Sequence, residues 1–219
     1  MMRFSLVRKC EISAIIIFLL ASMSIDAETY YVDPSHAQAS DSNTGSMEQP
    51  WLTIGHAAAS AAPGDTVFIR EGVYNEHLYF DESGTAEDRI VFTACPGETP
   101  ILDGTGESES QNGMVIDKSY LVLRGLEIRN WRENGVWIEN GSFLEITDCT
   151  VHDVGYGLGV SENSHDILFA NVTAHHFDLY GFDVTSWEGA ECHDIVFNDC
   201  TAHTGRDPQQ NVDGFALGH

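Results

Sequence analysis

Between Tyr120 and the carboxyl end one short pattern recurs four times: an alternating strand, a turn, then a glycine followed by a second alternating strand. The first half reads Leu-Val-Leu-Arg-Gly-Leu-Glu-Ile at 121–128, Leu-Glu-Ile-Thr-Asp-Cys-Thr-Val at 144–151, Ile-Leu-Phe-Ala-Asn-Val-Thr-Ala at 167–174 and Ile-Val-Phe-Asn-Asp-Cys-Thr-Ala at 195–202. The second half begins at Gly135, Gly157, Gly181 and Gly214, as in Gly135-Val136-Trp137-Ile138. Equivalent residues Leu126, Cys149, Val172 and Cys200 are separated by 23, 23 and 28 residues. A drifting period of this size marks a solenoid whose loops vary between coils. No single unit is large enough to enclose a core, so each must stack on its neighbours. Alternation sends apolar members inward and polar members outward, and successive coils lie about 4.8 Å apart as parallel strands. The expected fold is all-β, a right-handed parallel β-helix. A leucine-rich horseshoe has a similar period but would carry a helical segment where each copy here has a second strand.

The ends need separate treatment. Residues 1–27 read as a secretory signal peptide: Arg3, Arg8 and Lys9 form a basic start, Ala14 to Ala21 an apolar stretch, and Ala27 a small residue at a cleavage point. The apolar run is short for a membrane span. Residues 28–219 read as one β-helix domain, secreted or extracytoplasmic, with no membrane contact after cleavage and a monomer expected. Within it, Pro50 to Ala62 reads as one short helix, capped near Thr53 and stopped by Pro63-Gly64. Its expected task is to cover the open end of the core, since terminal units of a solenoid need a polar outer face. Strands are expected at 29–34, 66–70, 72–74, 90–93 and 101–104, the last four being the first, irregular coils. At the other end, His219 falls directly after a strand with no cap, so the chain reads as the amino-terminal part of a longer solenoid; an uncovered strand edge is an aggregation hazard.

Charge narrows the partners. The chain carries 10 Lys and Arg against 34 Asp and Glu; without residues 1–27 these become 7 and 32, a formal −25. Nucleic acid is excluded as a partner, because phosphate binding needs the opposite sign. Solubility accounts for most of such acidity, while carboxylates at particular positions suit Ca²⁺. Four cysteines remain beyond Cys10. Cys149 and Cys200 sit two coils apart, about 9–10 Å by the strand spacing, too far for a bridge; they are expected in an inward ladder, and a Cys192–Cys200 pair stays open.

Tyr30-Tyr-Val-Asp-Pro34, Asn43-Thr-Gly-Ser-Met-Glu-Gln-Pro-Trp51, Ala61-Ala-Pro-Gly-Asp-Thr-Val-Phe-Ile-Arg70 and Glu71-Gly-Val-Tyr74 together resemble the opening segment of secreted β-helix proteins that act on polysaccharides. Alginate and chondroitin lyases of family six carry a similar segment. His203, a polar loop and Asn211-Val-Asp-Gly-Phe-Ala216 resemble the Asp-Gly-Phe-Ala coil of the family nine pectate lyases. That resemblance implies a Ca²⁺-dependent lyase acting on pectate or a related uronan, with Asp213 a Ca²⁺ ligand, further acidic ligands on the next coil, and a catalytic Lys on a later one. Those positions fall beyond His219, so this chain is expected to lack the base. In such a reaction the C5 proton is abstracted next to a carboxylate; a divalent cation neutralises that charge, which also explains how an acidic protein binds an acidic polymer.

Other residues are weighed beside Asp213. Asp183, outward one coil earlier, reads as a cleft residue or plain surface. Arg206 is suited to gripping a uronate carboxylate with its planar fork, and His203 lies on the loop leading to Asp213. Arg129, His152, His175 and His203 occupy equivalent positions and should stack outward. Trp137 faces outward, placed for a sugar ring or for a neighbouring loop. Asn171 sits on a turn, where asparagine serves the backbone. Asn211-Val-Asp-Gly214 also resembles the Asn-Thr-Asp-Gly of polygalacturonases, so a β-helix glycoside hydrolase and a noncatalytic carbohydrate-binding or surface β-helix remain alternatives.

Overall fold

The structure is a computed structural model that describes residues 27–107, 111–186, 189–206 and 213–217. The segment expected to be a signal peptide lies outside the described residues but for Ala27. The chain winds through three parallel sheets, contributing one strand to each per coil. The first sheet holds β1 (Thr29–Val32), β2 (Thr66–Ile69), β5 (Ile90–Ala94), β8 (Leu121–Arg124), β11 (Ser142–Thr147), β14 (His165–Ala170) and β17 (His193–Asn198). The second holds β3 (Val73–Tyr74), β6 (Ile101–Asp103), β9 (Glu127–Arg129), β12 (Thr150–Val154), β15 (Thr173–Phe177) and β18 (Thr201–His203). The third holds β4 (Leu78–Tyr79), β7 (Met114–Ile116), β10 (Asn134–Glu139), β13 (Tyr156–Ser161), β16 (Tyr180–Val184) and β19 (Asp213–Leu217).

This is the parallel β-helix that the repeat calls for, with one refinement. The eight-residue first half of each copy is two strands on two sheets. The bend falls at Gly125, Asp148, Asn171 and Asp199, all with φ between 52 and 78°. Glycine adopts that left-handed region freely, and Asn and Asp tolerate it better than other residues. Asn171 also donates from Nδ2 to Asp148 Oδ1 at 2.8 Å, tying one coil's turn to the next. A second left-handed row, Asn130, Asp153, His176 and Thr204, turns the chain toward the third sheet.

Inward residues form the ladders that alternation predicts. Leu123, Ile146, Phe169 and Phe197 are successive register partners in the first sheet, and Ile128, Val151, Ala174 and Ala202 in the second. Each fully buried Leu, Ile or Phe contributes on the order of 1.5–3 kcal/mol. Cys149 is buried in its column, its thiol pushed up to about 11 by burial. Cys95, Cys149, Cys192 and Cys200 are all free thiols.

The helix α1 (Ile54–Ser60) is shorter than expected, because Trp51 bridges to Val32 as a strand residue. Thr53 is its cap, with Oγ1 accepting from His56 N at 3.1 Å, and Glu76 accepts from Ile54 N and Gly55 N, both at 2.8 Å. Ile54, Ala57 and Ala58 are buried, so the helix covers the amino-side end of the core. On the carboxyl-side coil Phe215, though stacked on Phe182 at 4.7 Å, stays 41% exposed.

Candidate functional site

The third sheet carries the site, and a row of glycines places it. Gly113, Gly135, Gly157, Gly181 and Gly214 stack where the chain enters this sheet. A Cβ at Gly157 would lie 2.1 Å from the Gly181 carbonyl oxygen, and one at Gly135 would lie 2.9 Å from that of Gly157. Backbone meets backbone at this corner, so only glycine fits. The residue before each of the last four is thereby turned outward, giving a column Asn134, Tyr156, Tyr180 and Asp213, with Asn134 paired to Tyr156 and Tyr180 to Asp213 in register. Beside it runs a second outward column, Trp137, Gly159, Asp183 and Ala216.

Between these columns lies a groove of about 410 Å³ lined by Asn112, Glu133, Asn134, Trp137, Tyr156, Tyr180, Asp183 and Thr185. The six-membered ring of Trp137 lies over Gly159, where a Cβ would come within 2.4 Å of it, and its Nε1 donates to Glu139 Oε2 at 3.2 Å. The Tyr156 and Tyr180 rings are 5.8 Å apart, tilted by 50°. Asn134 donates from Nδ2 to Asn112 Oδ1 at 2.9 Å, while its own buried Oδ1 has no hydrogen-bond partner among the described residues. Asp183 is only 8% exposed, a groove carboxyl group rather than open surface, and accepts from the Thr185 hydroxyl at 2.9 Å. Burial, followed by the negative field of Asp183, Tyr180 and Glu133, raises the Tyr156 phenol above its ordinary value.

Asp213 stands at the carboxyl-side end of this face, half-buried, with its backbone N–H donating to Leu179 O at 3.2 Å. Calcium takes roughly six to eight oxygen ligands. Among the described residues no group of three or more His, Cys, Asp or Glu side chains converges closely enough to hold a metal. The described residues therefore do not by themselves make a calcium site.

The other candidates lie elsewhere. Arg206 is already engaged: Nε donates to Asp178 Oδ1 at 2.9 Å, Nη1 to Asp153 Oδ1 at 3.3 Å and Nη2 to Val154 O at 3.1 Å. It lines a separate hollow of about 450 Å³ with Asn130, Trp131, Arg132, Asp153 and Asp178. Its position braces the turn that leads into Tyr180. His203 is exposed on the second sheet, its Nδ1 2.7 Å from Thr204 Oγ1. The expected outward stack is there: Arg129, His152, His175 and His203 are register partners, with ring centroids 4.6 and 5.3 Å apart along the histidines. Burial first, then neighbouring His152, His176 and His203, depress the His175 pKa. The second-sheet face is thus distinct from that bearing Asp183 and Asp213.

Sequence reasoning missed Asn134, Tyr156 and Tyr180. The available signal was the residue preceding each repeat glycine, in Asn134-Gly135, Tyr156-Gly157, Tyr180-Gly181 and Asp213-Gly214.

Comparison with known proteins agrees with this architecture. Residues 30–219 match the family model described as Pel9A-like, right handed beta helix region. The chain is 36% identical over 104 residues to the uncharacterized protein YwoF of Bacillus subtilis, covering 46% of this chain and 22% of that protein. It is 25% identical over 205 residues to pectate lyase PEL9 of Emericella nidulans, covering 91% of this chain and 46% of the relative. The crystal structure of pectate lyase Pel9A superposes with a TM-score of 0.63 at 19% identity, covering 87% of this chain and 57% of that one. The chain thus spans less than half the length of these two sequence relatives. With three stacked parallel sheets, one strand per coil in each, and a family match running from residue 30 to 219, the chain belongs to the Pel9A-like right-handed β-helix family.

Proposed function

We propose that the chain takes part in β-elimination of an acidic polysaccharide, pectate or a related uronan, outside the cytoplasm, and that Asp213 is one of the carboxylates holding Ca²⁺ for that reaction. The observation that carries this reading is the position of Asp213: it ends an outward column whose preceding members, Tyr156 and Tyr180, line a groove suited to sugar rings. Membership of a pectate lyase-like family supports it. When bound, calcium would supply positive charge against a uronate carboxylate. This chain's own contribution is to present Asp213 on a rigid strand and to offer an aromatic face beside it. No catalytic base is assigned among the described residues.

A second reading, a noncatalytic carbohydrate-binding β-helix, is favoured by one feature: the groove has no Lys or Arg among its described lining residues. Both readings meet the same experiment on residues 28–219 with polygalacturonate. With the uronate carboxylate and water supplying oxygens that the described residues lack, calcium-dependent binding is expected, with its loss in chelator, at least tenfold weakening in Asp213→Ala, and no ultraviolet-absorbing unsaturated product. Binding indifferent to calcium, or unchanged in Asp213→Ala, overturns the assignment of Asp213. Chelator-sensitive product formation by this chain would place a base within it.

A further inference from the structure

We propose that the histidine column of the second sheet is an acid-sensitive fastener: His152, His175 and His203 hold β18 against β15 while His175 is neutral, and a proton on His175 loosens β18 from the solenoid. The inference depends neither on the polysaccharide reading nor on calcium.

The column brings four imidazoles together. Three rings are stacked within 9° of parallel, with His175 lying 4.6 Å from His152 on one side and 5.3 Å from His203 on the other. A fourth packs edge-on: His176 is tilted by 78°, and its Nδ1 is 2.7 Å from His175 Nδ1. At that distance one nitrogen donates and the other accepts, so the pair shares a single proton. A second proton there would set two N–H groups against each other. Imidazole is the side chain whose charge changes between about pH 5 and 8, and charged rings this close repel.

Other histidines of the chain show what His175 lacks. His152, His165 and His193 are each followed by an aspartate in the left-handed conformation, and each Nδ1 lies 2.7, 2.8 and 2.8 Å, respectively, from that aspartate's Oδ2. His165 and His193 also stack, 4.8 Å apart on the first sheet, but there each ring has its own carboxylate to meet a proton. On the second sheet the aspartate is replaced by His176 after His175 and by Thr204 after His203, both left-handed as well.

The groups facing His175 are His152 from β12, His203 from β18 and His176 from its own turn, with Asp153 the carboxylate that acts on it. Asp153 is already engaged by His152 Nδ1 at 2.7 Å and Arg206 Nη1 at 3.3 Å, while Glu127 on β9 serves Arg129 and His152. Burial and the neighbouring imidazoles outweigh Asp153 and depress the His175 pKa. The folded value lies below the unfolded one, so the stability it contributes is complete above about pH 6.5 and is lost as pH falls through the folded value.

Strand β18 is placed to respond. It meets β15 at three register pairs, Thr173 with Thr201, Ala174 with Ala202 and His175 with His203, whereas β14 and β17 meet at five. Thr201 and His203 are exposed and Ala202 is half-buried, so little apolar burial opposes local opening. The Arg206 backbone N–H, donating to Phe177 O at 2.8 Å, tethers the far end of the opened segment.

The test is amide hydrogen exchange on residues 28–219 at about pH 7.5 and about pH 5, read as protection factors so that the intrinsic pH dependence of exchange cancels. Expected is at least a tenfold fall in protection of Thr201, Ala202 and His203 at the lower pH, with β8 and β11 unchanged. His176→Asp gives His175 the partner that His152, His165 and His193 have, at a backbone conformation that Asp153 already adopts, and should abolish the fall. His175→Gln, which cannot charge, should abolish it too, and His165→Gln on the first sheet should leave it intact. Equal protection at the two pH values, a fall that persists in His176→Asp or His175→Gln, or protection lost alike from every strand overturns the proposal.

Discussion

Asp103 shows how single residues hold neighbouring coils in place. Its carboxylate accepts from Arg129 Nε at 2.9 Å, Asn130 Nδ2 at 2.9 Å and Thr105 N at 2.8 Å, joining β6 to the coil above. Burial alone would raise its pKa, but these donors more than offset that and bring it to about 2. The folded value lies below the unfolded one, so the contribution is present above about pH 4 and lost as pH falls through about 2, amounting to roughly 2 kcal/mol at neutral pH. Asp103→Asn should therefore lose about 2 kcal/mol at pH 7, with the gap to wild type closing toward pH 2. Chemical denaturation at both pH values checks this. A loss that persists at low pH would mean that shape, not charge, is what Asp103 supplies.

Elements are where the sequence speaks most clearly, and where its ambiguity is most specific. The coil repeat, the inward ladders, the amino-side helix and the histidine stack can all be read from spacing, because equivalent residues align in register. The split of each first half into β8 and β9, or β11 and β12, cannot be read that way. At Gly125, Asp148, Asn171 and Asp199 the alternation slips by one position, so two outward residues follow each other, and a slip this short reads as one continuous strand until the left-handed φ of these residues is known to turn the chain. Strands β4 and β7 also go unannounced, being two and three residues long and lying outside the regular repeats. Of the candidate site, Asp213 is visible only through family resemblance, whereas the tyrosine column needs the glycine corner to be known first. That corner has a measurable cost: Gly157→Ala forces a Cβ against the Gly181 carbonyl and should destabilise by about 3 kcal/mol. Urea unfolding at unchanged m reads it. A loss below about 1 kcal/mol would show that successive coils separate easily there.

For the whole molecule, charge is the dominant global quantity. A formal −24 on 219 residues makes the compact state repel itself. Local pairs such as Arg70 with Glu98 at 2.8 Å and Arg129 with Asp103 relieve this only in places. Salt screens such repulsion over about 10 Å at 0.1 M, so the thermal midpoint should rise by several degrees between about 10 mM and 0.5 M NaCl. A midpoint that falls with salt would mean that the local pairs outweigh the net charge. No helix among the described residues is long and apolar enough to cross a membrane.

The uneven spacing of the coils has a practical meaning for anyone who would build on this protein. Between β13 and β14 three residues suffice, yet eight separate β16 from β17 and nine separate β18 from β19, while every strand keeps its register partner. Gly189, in the first of these longer loops, has no described residue within 4 Å of where a side chain would begin. Foreign peptide grafted there enters open space beside the third sheet, whereas the same graft at Asp148 would break the tie to Asn171 and pry adjacent coils from each other. The architecture thus has insertion points at the borders of its third sheet, and its walls can be rebuilt without retuning its core.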